Sequence, residues 1–197
     1  MYIMTLDFDP AKEMSVKLFN AAERDDAAAV SDLAKKGADL NSLDFRGVTP
    51  VIAAIKAGCY LTMSALIQAG ADLEAKTEFG MTALIWAADN DNKKAVSALI
   101  KVGADVNSAD QHGWTALHHA AWNGNVSMMR ELIINGTDIW LLNSSECTPL
   151  EILQYQYPQK SIKNIEKLKD LFDKTQSKRL VEEDRSIKIY TGYEFDI

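Results

Sequence analysis

Apolar and polar positions along this chain fall into a pattern that repeats. Thr115-Ala-Leu-His-His-Ala-Ala-Trp122 is a short apolar block at helical spacing, entered from a polar turn at Gly113 and left at Gly124. Gly113 frees the backbone for the turn, and Thr115 is placed to cap the helix that follows. The arrangement returns as Gly47-Val-Thr-Pro50, Gly80-Met-Thr-Ala83 and Gly113-Trp-Thr-Ala116, each 33 residues after the last. Glu146-Cys-Thr-Pro149 continues the register without the glycine. A second phrase keeps the same step: Gly37-Ala-Asp-Leu-Asn41, Gly70-Ala-Asp-Leu-Glu74, Gly103-Ala-Asp-Val-Asn107 and Gly136-Thr-Asp-Ile-Trp140. Two independent phrases locked at one period define a tandem array.

Within each period the spacing predicts two helices. In the unit of residues 43–76, Thr49-Pro50 opens the first, with Pro50 in the first turn where its missing N–H is harmless. Val51, Ala53, Ala54 and Ile55 supply an apolar face, and Gly58 ends it. The second helix, Leu61 to Ala69, puts Met63, Leu66 and Ile67 at core spacing, and Gly70 closes it. Units 77–109 and 110–142 follow the same scheme. In the former, Asp91-Asn92 replaces the glycine turn, and these types tolerate left-handed backbone better than other non-glycine residues.

The ends depart from the pattern. Residues 1–10 are a lead-in, and residues 11–42 form an N-terminal cap with helices from Ala11 to Arg24 and Ala27 to Lys36. Residues 143–175 form a degenerate last unit, in which Thr148-Pro149 starts a helix that Tyr157-Pro158 ends. A longer loop is expected next. Then comes an amphipathic capping helix from Ser161 to Lys174, with Ile162, Ile165, Leu168, Leu171 and Phe172 on one side. Residues 176–197 read as a charged linker and a tail. There Ile187, Ile189, Tyr193, Phe195 and Ile197 alternate around Thr191-Gly192, which predicts a short C-terminal β-hairpin. A frayed terminus is the competing reading.

The two phrases resemble the ankyrin family. Thr115-Ala-Leu-His-His-Ala120 comes nearest to its Thr-Pro-Leu-His-x-Ala signature, while Thr49-Pro-Val-Ile52, Thr82-Ala-Leu-Ile85 and Thr148-Pro-Leu-Glu151 lack the histidine. The resemblance covers roughly residues 8–175. It implies an all-α ankyrin-repeat solenoid of about five units, each a helix–turn–helix plus a β-turn finger. It leaves function open, because such arrays serve many unrelated partners.

Composition narrows the function classes. Hydrophobic content of 47% with 25% charged residues fits a folded, water-soluble chain, and no apolar run is long enough to cross a bilayer. A net charge of −7 argues against nucleic acid, which needs a basic face, and favours a basic protein partner. Residues 1–10 lack the basic and apolar regions of a secretory signal. Cys59 and Cys147 fall in different units and read as reduced thiols, so a cytoplasmic location is expected.

The resemblance implies that binding uses the concave side, made of finger tips and the exposed ends of first helices. In register, the residue after the finger glycine forms a column of Val48, Met81, Trp114 and Cys147. Phe45, Arg46, Phe79 and His112 precede the glycine, and Asp89, Trp122, Asn123 and Tyr155 stand at helix ends. These residues, Cys147 apart, are the candidate partner-binding set. Aromatic and methionine side chains that a solenoid core does not need are the type found at binding hot spots. Trp86 falls at a core-like position, and Trp140 is expected to cover the last unit.

Candidate chemistry is sparse. His118 and His119 are adjacent and diverge by about 100° on a helix, so they cannot share a metal-ligand face. His118 holds the signature position, where the resemblance implies turn hydrogen bonding. Phosphate loops and hydrolase motifs are absent. Asp39, Asp72, Asp105 and Asp138 recur at one repeat position, which fits finger hydrogen bonding rather than acid–base work. No catalytic activity, metal or cofactor is expected. The expected function is non-enzymatic binding of a partner protein by a monomer. The alternatives are an inhibitor or immunity protein that masks a toxin or enzyme, and a scaffold that self-associates through the C-terminal tail.

Overall fold

A computed structural model describes residues 9–191, and the side chains of these apart from 159–162 and 179–191. The helices are α1 (Pro10–Glu23), α2 (Ala27–Lys35), α3 (Pro50–Ala57), α4 (Tyr60–Gln68), α5 (Ala83–Asp89), α6 (Lys93–Lys101), α7 (Ala116–Trp122), α8 (Val126–Ile134), α9 (Pro149–Gln156) and α10 (Pro158–Thr191). They pair in chain order, and α1, α3, α5, α7 and α9 stack on one another as a continuous row. Among the described residues there is no sheet, only an isolated bridge between Ala109 and Thr115. The fold is an all-α repeat solenoid.

Local chemistry sets each helix start. The hydroxyls of Thr49, Thr82, Thr115 and Thr148 accept from the backbone N–H three residues on, at 3.3–3.4 Å. Asp26, Asn92 and Asn125 do the same for α2, α6 and α8, at 2.9–3.1 Å. Each such cap contributes about 1 kcal/mol. Cys59, at the start of α4, supplies no side-chain cap. Asp25 of the previous unit replaces it, accepting from the Thr62 N–H at 3.1 Å and the Thr62 hydroxyl at 3.0 Å.

The shared core follows from residue size. Ala53, Ala54, Ala87, Ala88, Ala120 and Ala121 are buried and let the first helices approach closely, while Leu66, Leu99 and Leu132 are fully buried anchors on the second helices. Loops tie consecutive units together. The side-chain oxygens of Asn41, Glu74 and Asn107 accept from the backbone N–H of Asp72, Asp105 and Asp138, at 2.8–2.9 Å. The recurring aspartates fold their own loops, with Asp39, Asp72, Asp105 and Asp138 each accepting from the N–H two residues on. That is the role their regular spacing predicts.

The fingers stack in the same way. The His112 carbonyl accepts from the Ser144 N–H at 2.9 Å, and the Phe79 carbonyl from the Gln111 N–H at 3.4 Å. Gly80 has a φ of +76°, and a Cβ there would lie 2.7 Å from the Gln111 nitrogen. Two constraints therefore require glycine at that point. The last finger keeps the left-handed turn with Glu146 at φ 58°, and Asp91 keeps its turn at φ 54°.

The C-terminal end departs from expectation twice. The first helix of the last unit does stop at Tyr157, but α10 starts at Pro158, so no longer loop separates them. Proline is tolerated at a helix start, and here it opens the next helix directly. The helix then runs on to Thr191, through the expected linker and the first arm of the expected hairpin. The reason lies in composition: after Pro158 no proline or glycine occurs until Gly192, and Lys, Arg, Glu and Leu favour helix. The second arm, residues 193–197, lies outside the described residues. Leu168 of α10 is fully buried, and Ile165, Leu171 and Phe172 pack on the core, so this helix caps the array.

Candidate functional site

The face built by the fingers and first helices carries most of the candidate side chains, and α7 is its centre. Thr115 and His118 form a capping box. The Thr115 N–H donates to His118 Nδ1 at 3.2 Å, so Nδ1 is the acceptor and Nε2 donates to the Cys147 carbonyl at 3.1 Å. His118 thus stitches the fourth unit to the last finger. Burial holds its pKa below the ordinary 6.5, against the opposing hydrogen bond to Cys147.

His119 points elsewhere. Its Nδ1 lies 2.9 Å from Asp89 Oδ1, and its Nε2 lies 3.7 Å from Asp110 Oδ2. Asp110 is itself fixed, because its Oδ1 accepts from the backbone N–H of His112 at 2.8 Å and of Trp114 at 2.9 Å. The Trp114 ring leans on His119 with centroids 5.1 Å apart, and meets Trp122 edge-on at 5.7 Å. Trp122 follows His119 by three residues, so both fall on one side of α7.

These two tryptophans form a ridge with a cleft on either side. One, of about 280 Å³, is lined by Asp89, Asp110, His112, Trp114, His119 and Trp122. The other, of about 580 Å³, lies against the fifth unit and includes Asn143, Cys147, Glu151, Ile152 and Tyr155 beside the tryptophans. Behind the ridge, the Tyr157 hydroxyl donates to the Trp122 carbonyl at 3.3 Å. The Tyr157 ring packs on Gly124, where a Cβ would sit 2.7 Å from it. The end of α7 is held from both neighbouring units.

The structure sorts the remaining candidates. Phe45, Phe79, Trp122 and Tyr155 are exposed by 95%, 61%, 50% and 85%. Trp114 is half-buried and packs on the core, so it is a wall of the site rather than a projecting anchor. Val48 also packs on the core and Met81 is half-buried. Arg46 is engaged by Glu23 at 2.5 Å and Asp44 at 2.6 Å, and stands 5.3 Å over the Phe45 ring. Asn123 is exposed, but its amide donates to the Ala88 and Asp89 carbonyls at 3.2 and 2.8 Å and so belongs to the scaffold. Outside this face, Trp86 packs on the core, whereas Trp140 is 55% exposed, with Lys169 of α10 standing 5.5 Å over its ring, so it does not bury itself as a cover for the last unit.

His119, Asp110 and Ile152 line the two clefts without being among the candidates the sequence offers. The His119–Trp122 spacing was the available signal for the first. Asp110 reads as a finger residue, and Ile152 as core. Among the described residues no three His, Cys, Asp or Glu side chains converge to hold a metal. No helix among them is long and apolar enough to cross a membrane.

Paired helices and fingers stacked at one period define a tandem-repeat solenoid. A family model described as ankyrin repeats (3 copies) matches residues 18–110 and 62–143, more than half of the chain. The chain belongs to the ankyrin-repeat family. Such repeats are generally protein–protein interaction modules and typically non-enzymatic. Among curated proteins, none matches the chain.

Proposed function

We propose that the chain binds a partner protein through the face formed by its fingers and first helices, with the Trp114–Trp122 ridge at the centre. The observation that carries this reading is the exposure of Trp122 and Tyr155, by 50% and 85%, at the rim of a cleft of about 580 Å³. The two rings are not scattered singly but gathered with Trp114 about one cleft, and a grouped apolar patch of that kind marks an interaction surface. The ridge is preformed, so little ordering opposes association. Phe79 extends the same row towards the N-terminal units, and Phe45 with Arg46 marks its far end. A chain of net charge −7 associates faster with a basic partner.

The test is retention of partners from the native cell lysate by the wild type beside a Trp114→Ala/Trp122→Ala variant, with folding checked by circular dichroism. A protein retained by the wild type and lost by the folded variant supports the reading. Retention by both moves the site off this face. For a purified partner, Trp122→Ala alone is expected to weaken binding by about 2 kcal/mol or more.

A further inference from the structure

The two sides of the ridge differ in chemistry, and that difference specifies what the partner must present. The smaller cleft is lined by Asp89, Asp110, His112, Trp114, His119 and Trp122, two carboxylates and no lysine or arginine. The Asp89 side chain is 44% exposed, while His119 at 2.9 Å orients it. Asp110 is held by two backbone donors and is only 9% exposed, so Asp89 is the carboxylate a partner can reach. The tryptophan rings beside these acids present faces that attract cations. The larger cleft shares both rings but is walled by Ile152 and Tyr155, with Glu151 at its edge.

We propose that the acidic side of the ridge takes an arginine or lysine side chain of the partner protein, and the apolar side a large apolar side chain of the same segment. This rests on the partner-binding reading of the face. A carboxylate and an aromatic ring held side by side bind a cation without reorganising, since His119 fixes Asp89 and leans on Trp114. An acidic side chain would be repelled by the same two carboxylates, and an apolar one would strip water from them without replacing it. Both clefts are walled by the same two rings, Trp114 and Trp122, so they adjoin across the ridge. An extended segment advances about 3.3 Å per residue, so side chains within three positions of each other reach both sides.

The experiment is selection of a displayed random dodecapeptide library on the immobilised full chain, with binding of individual synthetic peptides measured afterwards. Peptides that lose binding to Trp122→Ala are expected to be enriched in arginine or lysine within three positions of a large apolar residue. Asp89→Asn keeps the oxygen that His119 contacts but removes the charge. It is expected to weaken such a peptide about tenfold or more, and to leave unchanged the same peptide with its basic residue replaced by methionine. Asp89→Glu should recover part of the loss. Peptides that need Trp122 but show no basic enrichment, or bind Asp89→Asn as well as wild type, would overturn this proposal and leave the binding face standing. Peptides indifferent to Trp122→Ala would overturn the partner-binding reading itself.

Discussion

Four fingers occupy equivalent positions, and one of them breaks the glycine rule. Gly47, Gly80 and Gly113 have φ of 68°, 76° and 72°, where the last finger holds Glu146 at 58°. An L-residue in the left-handed region loses about 1–2 kcal/mol, because its Cβ crowds the following carbonyl. Glycine escapes that penalty but loses about 0.5–1 kcal/mol more backbone entropy on folding. Glu146 is exposed, and its backbone N–H bonds to the Asn143 carbonyl at 2.9 Å, which glycine would keep. Glu146→Gly is therefore expected to stabilise the chain by about 0.5–1 kcal/mol, and to raise Tm by roughly 1–4 °C. Urea denaturation followed by circular dichroism reads this as a higher midpoint at unchanged slope. The mirror variant, Gly80→Ala, meets both the left-handed backbone and a Cβ position 2.7 Å from the Gln111 nitrogen, so a loss of about 2 kcal/mol or more is expected. A neutral or destabilising Glu146→Gly, beside a costly Gly80→Ala, would refute the reasoning that backbone conformation governs this position.

Other consequences follow from particular contacts. Asp25→Ala removes the borrowed cap of α4 and the bond to the Thr62 hydroxyl, and is expected to cost about 1–3 kcal/mol in the same denaturation assay. His118 has its pKa lowered in the folded state, so the unfolded chain binds more protons as the solution is acidified. Its contribution is complete above the ordinary value of 6.5 and is lost as pH falls below it towards the folded value. Comparing wild type with His118→Gln across that window is expected to show the acid-dependent loss only in the wild type. Asp44 and Glu151, whose values lie below the ordinary carboxylate range, add their own losses only at lower pH. Leu168→Ala empties a fully buried position of α10 and is expected to destabilise by about 2–5 kcal/mol. A loss within the range of a surface substitution would mean that α10 does not cap the array.

The repeat was legible because each unit needs the same local devices. A threonine cap, a left-handed glycine and small residues between stacked helices leave an unmistakable period in the sequence. Aromatic residues at helix ends could be located by counting within that period, which found Trp122 and Tyr155. What counting could not supply was orientation. Trp114 shares a finger column with Val48 and Met81, yet only packing decides that it turns half inward against His119. Likewise Asp110 and His119 belong to different elements, and their approach depends on how the finger folds back over α7. The first arm of the expected hairpin was misread for a different reason. Alternating Ile187 and Ile189 fit a strand, but thirty-odd residues without glycine or proline let the helix continue from its buried end at Leu168. A period-two pattern over so few residues is weak against such a neighbour.

The central claim is that partner binding occupies the finger and first-helix face. Its most direct test places a photo-cross-linking amino acid singly at positions 79, 122 and 155 on that face, and at 61 and 134 on exposed second-helix positions. Irradiation in the native cell is expected to yield one common cross-linked protein from 122 and 155, and none from 61 or 134. Cross-links to a common partner from 61 or 134, with none from 122 and 155, would contradict the account.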